Sequence, residues 1–307
     1  MKNSIYLLLA VFLFACEDPI AHPDDIDTPT RGKIKISIEE NVQPLADQLI
    51  DAFEYSYDDA FLVQSYNQEP DVMKELFDDT SRLAIMTRQL NKEEIAFFKS
   101  KQFGLEQVKI GSDAVVLIIN RNNPDSIFSV DDVKNMLLGN DSNWTSINKN
   151  STLGALNVVF DHGTSCNLRY LTDTLLNGKA PGKNCFSMNS SDSVIAYVKN
   201  NPNAVGIVGL NWLGNKYSDG DVMRRAQISM AMIGPDREHA VHPTQSALAT
   251  GVYPFTRGIY IIKIGMRAGL GTGFASFCYG DRGQLIVQHS GLAPSNPAER
   301  KVLIDAH

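Results

Sequence analysis

From residue 33 to 37 the chain reads Lys-Ile-Lys-Ile-Ser, alternating polar and apolar as a half-buried strand does. A polar stretch follows, Glu39-Glu40-Asn41-Val42-Gln43, and Pro44 then opens a segment with apolar residues at Leu45, Leu49, Ile50 and Phe53, one face of a helix. The same alternation of strand and helix continues along the chain. Further strands are expected at 61–66, 82–86, 113–120, 156–160, 204–209 and 254–262. Helices are expected over 91–98, 129–138 and 193–199, from Leu168 onward, and through 274–278. The run from Val115 to Ile119 is unbroken and rich in β-branched residues, which predicts a strand buried on both faces. Ser129 with Asp132 three positions on is a helix-start signature, and Leu138-Gly139 is a stop. Strand and helix alternate with no internal repeat, so the class is α/β.

The 307 residues exceed what one core usually organises, so two lobes of ~100–150 residues are expected. At 43% hydrophobic and 21% charged the composition is globular rather than disordered. A formal charge of −7 leaves no basic surplus for a nucleic-acid backbone, although it permits a small anion held by a few local donors.

The first residues carry their own signal. Lys2 precedes an apolar run from Ile5 to Ala15 that stops at Cys16, too short to span a bilayer and of the length of a secretory signal. Leu13-Phe14-Ala15-Cys16 resembles a lipobox, which implies a signal peptide at 1–15 and a lipid attached to Cys16; a plain signal peptide cut nearby or a buried first helix are the other readings. Residues 16–31 are acidic, proline-bearing and nearly free of aliphatic side chains, as a tether is. Acidic residues directly after the anchor also resemble the export signals of some Bacteroidetes surface lipoproteins. Cys166, Cys185 and Cys278 match no zinc spacing. An oxidising compartment allows a Cys166–Cys185 disulfide with Cys278 buried and free; three reduced, buried cysteines are the alternative.

Seven segments, in order, carry a resemblance: the strand-loop-helix at 33–53, LAIMTRQL at 83–90, GSDAVVLIINRNNP at 111–124, LLGNDSNW at 137–144, NPNAVGIVG at 201–209, YPFTRGIYII at 253–262 and GDRGQLIVQHSGLAP at 280–294. Together they resemble the PstS-like substrate-binding component of phosphate ABC transporters, over nearly all of 33–294. The resemblance implies a two-lobed type II periplasmic-binding-protein fold with two crossover segments, near Gly111–Val115 and Tyr253–Arg257. Lobe I would comprise 32–112 and 256–307, and lobe II 113–255. It also implies inorganic phosphate or a related oxyanion as ligand and an ABC permease as partner. The protein would then be a monomer on the periplasmic face or cell surface, meeting the membrane through its lipid anchor only.

In that family the anion is held by N–H groups and hydroxyls at helix starts, where unpaired donors and a partial positive charge suit a phosphate without any metal. The resemblance places Asn41 on a threonine of the first loop, beside Val42. Thr87 and Arg88 end a strand in the second loop, and Ser165-Cys166-Asn167 stand for Ser-Gly-Thr in the third. Glu39 and Glu40 replace small residues, and their carboxylates would repel an anion. Asp161 replaces an arginine; Arg169, one helical turn after Ser165, could restore that charge. Asp161 could also accept a proton from phosphate, which would discriminate against sulfate.

Other features read blandly. Asp161, His162 and Ser165 lie too close in one turn for a base and nucleophile, so Ser165 is a cap and no catalytic residue is expected. His239 and His242 lack a third ligand, and Gly269–Gly273 lacks the context of a dinucleotide fingerprint and reads as a turn before the last helix. No cofactor or metal is expected. Arg88 could instead pair with Asp78 or Asp79. The leading function is solute capture for transport; the alternative is a sensory or scaffold lipoprotein with an altered or lost anion site.

Overall fold

Eight strands form one continuous ribbon in a computed structural model, which describes residues 27–215, 219–226 and 228–297. The signal run, Cys16 and most of the expected tether lie outside the described residues. The chain begins with β1 (Gly32–Glu39), α1 (Gln43–Ser56), β2 (Ala60–Asn67), α2 (Glu69–Phe77), β3 (Leu83–Met86), α3 (Lys92–Ser100) and the long β4 (Leu105–Asn120). It continues with β5 (Ile127–Ser129), α4 (Val130–Leu138), α5 (Trp144–Ile147), β6 (Asn157–Phe160), α6 (Cys166–Leu175), β7 (Cys185–Ser187), α7 (Ser191–Asn200) and β8 (Ala204–Gly209). After α8 (Asp219–Arg225), β9 (Ile228–Met230), β10 (Met232–Gly234) and α9 (Gln245–Ala249), it returns through β11 (Thr256–Ile264) to α10 (Leu270–Tyr279), α11 (Asp281–His289) and β12 (Ala293–Pro294).

The ribbon order is β2-β1-β3-β11-β4-β8-β6-β7. β1 pairs in parallel with β2 and β3, the arrangement that crossover helices α1 and α2 permit. β11 comes from far along the chain and inserts antiparallel between β3 and β4. β4 changes partner midway. Leu105–Ala114 face β11, whereas Val115–Ile119 face β8. One strand therefore belongs to both lobes: the first is built on β2-β1-β3-β11 and the second on β8-β6-β7, with β6 parallel to both its neighbours.

Local chemistry explains the elements. α1 buries Leu45, Leu49, Ile50 and Phe53, the face its spacing predicts, and Phe53 meets Phe274 of α10 edge-on at 5.4 Å between ring centres. Ser129 and Asp132 form a reciprocal capping box on α4, and Gly139 ends that helix at φ 76°, a left-handed conformation suited to glycine. Asn91 and Glu94 cap α3 in the same way.

Some boundaries differ from the sequence reading. β4 starts at Leu105 rather than 113, because its first half is only partly buried and exposes Glu106 and Lys109, which interrupt the apolar pattern. α2 and α11 are further helices, and α6 begins at Cys166 rather than Leu168. Gly271 and Gly273 lie inside α10, so the glycine-rich stretch opens a helix that is followed by another.

Gly206 of β8 shows how tightly the second lobe packs. A Cβ there would lie 2.7 Å from Ile118 and 2.8 Å from both Val194 and Val198 of α7. Gly206→Ala should therefore destabilise the protein by about 1–3 kcal/mol through overpacking. Thermal melting checks this, and an unchanged midpoint would mean that α7 moves away freely.

Candidate functional site

The parallel strands of the two lobes run toward each other. β1 and β3 approach the middle of β4 from one side, and β6 and β8, which oppose β4 in direction, approach it from the other. Loops after strand carboxyl ends are where open α/β sheets present helix starts and bind ligands. Here the loops after β1, β3, β6 and β8 converge on the point where β4 changes partner.

Asn41, in the loop after β1, is the hub. Its amide Nδ2 donates to Asp161 Oδ2 at 2.7 Å, and its Oδ1 accepts from Asn167 Nδ2. Its backbone carbonyl accepts from Asn211 Nδ2 and from Trp212 Nε1, the latter at 3.1 Å. Asp161, Asn167, Asn211 and Trp212 all belong to the second lobe, so one asparagine joins the lobes through both side chain and main chain. Ser165 donates its hydroxyl to Asp161 Oδ1 and accepts the Asn167 N–H at 3.1 Å, capping α6. All of these side chains are buried.

A buried ion pair lies beside the hub. Arg257 of β11 donates to Asp113 Oδ2 of β4 from Nη2 at 2.9 Å and from Nε at 3.3 Å, with both side chains almost fully shielded. Asp113 Oδ1 takes the Asn211 N–H at 3.2 Å, and Arg257 Nη1 reaches Cys166 Sγ at 3.5 Å. Thr87, at the end of β3, gives both its N–H (2.9 Å) and its hydroxyl (2.7 Å) to Glu39 Oε2. Burial, then the neighbouring Glu69, push the Glu39 carboxyl above its ordinary range, against the hydrogen bond from Thr87 and the charge of Arg257. Burial likewise raises Glu40, with the Asp161 charge adding to it, and keeps the Cys166 thiol protonated.

Farther out, Glu69 at the start of α2 receives two arginines. Arg88 Nε donates to Oε1 and Arg169 Nε to Oε2, and Arg88 also forks onto Glu94 at 2.7 and 2.8 Å. Because Arg169 sits on α6, this is a second junction between the lobes. Trp212 also lines a pocket of about 410 Å3 with Pro44, Asp47, Asp192 and Arg224, whose guanidinium lies 5.0 Å above the indole ring.

The sequence-derived residues thus separate into groups. Asn41, Asp161, Ser165 and Asn167 share one network; Thr87 engages Glu39; Cys166 lies against Arg257. Arg88 and Arg169 meet at Glu69 rather than in that network, and Asp79, offered as a partner for Arg88, pairs with Arg82. Val42 contributes a buried apolar side chain. Asp113, Arg257, Asn211, Trp212 and Glu69 were not singled out. The available signal was an arginine inside an otherwise apolar strand and an aspartate at the head of the most apolar one. Cys166, Cys185 and Cys278 are all free, and no cluster suited to a metal occurs among the described residues.

Two outcomes test these electrostatics. Arg257→Ala leaves Asp113 buried and unpaired, so it should cost about 3–5 kcal/mol of stability, read by denaturant titration. For Glu39, the folded state holds the proton more tightly than the unfolded chain, so its contribution is fullest in acid and fades as pH rises through the raised value. Glu39→Gln should then melt about 2–4 °C above wild type at neutral pH, with the gap closing toward acid. A lower melting point at every pH would show that Glu39 is a stabilising carboxylate.

Comparison with known proteins follows this geometry. A family model described as the PBP superfamily domain matches residues 24–282. A structure described as a phosphate ABC transporter substrate-binding protein with bound phosphate, from Clostridium perfringens, superposes with a TM-score of 0.71 at 20% identity, covering 86% of this chain and 99% of its own. An ABC-type phosphate transport receptor from Vibrio cholerae gives 0.64 at 16% identity, over 85% and 99% of the two chains. PstS from Borrelia burgdorferi gives 0.53 at 19% identity, over 85% and 98%. No curated protein matches the sequence. The chain belongs to the PBP superfamily and has the two-lobed periplasmic-binding-protein fold.

Proposed function

We propose that this protein is a non-enzymatic solute-binding lipoprotein that captures phosphate, or an oxyanion of the same shape, between its lobes and delivers it to an ABC permease. The observation that carries the reading is the meeting of the two lobes in one buried network, Asn41 from one with Ser165 and Asn167 from the other, while Thr87 presents its two donors to Glu39, two positions before Asn41. The phosphate-binding proteins that share the fold support it. Asp161 would accept a proton that monohydrogen or dihydrogen phosphate carries and sulfate lacks. Arg88 and Arg169 would lend positive charge from the rim, and Val42 and Cys166 their backbone N–H groups at helix starts. The lobes, 32–112 with 256–307 and 113–255, would close by a hinge motion, as a monomer. The body would hang by the tether 16–31 from a lipid on Cys16, facing the periplasm or the cell exterior.

A second reading has its own observation. Asn41, Thr87 and Ser165 already serve the carboxylates of Glu39 and Asp161, which favours a sensory or scaffold lipoprotein with an altered anion site.

Calorimetric titration of the soluble body, unfolded and refolded beforehand, separates the two. The transport reading expects phosphate to bind at micromolar strength or better, sulfate at least about tenfold more weakly, and Asn41→Ala to weaken phosphate by tenfold or more. Absence of heat with either anion would leave the sensory or scaffold reading.

A further inference from the structure

Both donors of Thr87, its N–H and its hydroxyl, are spent on Glu39 Oε2, and the other oxygen of that carboxyl, Oε1, is buried without a hydrogen-bond partner. Glu69 of α2, Thr87 after β3, Arg257 of β11 and Cys166 of α6 are the polar and titratable groups that act on it. Such a carboxyl has two faces. Ionised, Oε1 is a buried acceptor with nothing to accept, close to a second acidic group. Protonated, Oε1 becomes a hydrogen-bond donor, which is what an oxyanion requires.

We propose that Glu39 serves the anion site as the neutral acid, so that oxyanion capture by this protein is coupled to uptake of a proton at Glu39. The inference rests on the oxyanion reading above and supplies the protonation state in which that site works. Charge arithmetic in the buried region favours it. With Glu39 ionised, the buried carboxylates are Glu39, Glu69, Asp113 and Asp161 against one buried guanidinium, Arg257. Arg88 and Arg169 answer Glu69 from the rim, which leaves Glu39 and Asp161 uncompensated by an ion pair, and an incoming anion would add to that negative excess. Neutral Glu39 removes one of those charges and turns a repelling group into a donor. Burial and Glu69 already favour the protonated form, and a bound anion pushes in the same direction. The proton comes from solvent: an O–H bond forms at Glu39 Oε1, one breaks on hydronium or the buffer acid, and no bond between heavy atoms changes.

The test is calorimetry of wild type and Glu39→Gln with inorganic phosphate, each in two buffers of different ionisation heat, between about pH 6 and 8. The buffer dependence counts protons taken up per anion bound, and subtracting the variant removes the titration of phosphate itself. Wild type should take up as much as one proton more than Glu39→Gln. Its affinity should also fall by up to about tenfold per pH unit relative to the variant as pH rises. Identical proton counts and parallel pH profiles would overturn the proposal, as would a variant that still unfolds cooperatively but loses phosphate while wild type binds without proton uptake. If the variant fails to fold, wild type alone decides near about pH 6, where free phosphate is almost all dihydrogen anion and any sizeable uptake belongs to the protein. Phosphate binding to neither protein would instead sink the oxyanion reading itself.

Discussion

The ion pair between Arg257 and Asp113 is the constraint around which the rest of the molecule is arranged. Both residues are opposed in register on neighbouring strands, at the point where β4 leaves one lobe for the other. Removing two charges from water costs several kcal/mol for each ion, and only good geometry with further hydrogen bonds offsets it. Those bonds come from elsewhere. Asn211, after β8, satisfies the second oxygen of Asp113, and Asn211 in turn holds the Asn41 carbonyl after β1. Cys166, at the start of α6, lies against the remaining guanidinium nitrogen. The pair therefore sets where the loops of both lobes must stand.

Around that centre the lobes meet through two junctions of different character. The inner one is Asn41, an uncharged amide fully enclosed and matched donor for acceptor by the second lobe. The outer one is Glu69, shared between Arg88 of its own lobe and Arg169 of the other, with the arginines partly in contact with water. Salt screens the outer junction more strongly than the inner one, since exposed charges are weakened by counterions and enclosed hydrogen bonds are not. The rim junction thus depends on ionic strength, while the central one depends on the fit of enclosed donors and acceptors.

Much of the fold was legible because it is written in local chemistry. The apolar face of α1, the capping box at Ser129 and the buried run of β4 each follow from residues within a few positions of one another. The loops bearing Asn41, Thr87 and Ser165 were legible for the same reason, as strand ends running into helix starts. What escaped was pairing over long sequence distances. Glu39 reads as a repelling charge until Thr87 is seen to satisfy one of its oxygens, and Arg88 and Arg169 read as anion ligands until Glu69 stands between them. Arg257 and Asp113 lie more than a hundred positions apart, and no local pattern links an arginine to one particular buried aspartate.

The insertion of β11 between β3 and β4 has a consequence for how the molecule forms. During synthesis the strands of the first lobe emerge early, but the strand that must lie between two of them appears only after the whole second lobe. Until then β3 and the first half of β4 present open backbone edges, the kind of surface that pairs with other chains. The second lobe's sheet, by contrast, has its strands complete before β11 exists. Assembly should therefore be ordered against the direction of the chain, the later lobe setting first and the earlier one waiting. Such long-range closure is slow, and it leaves an aggregation-prone interval that a newly made chain must survive.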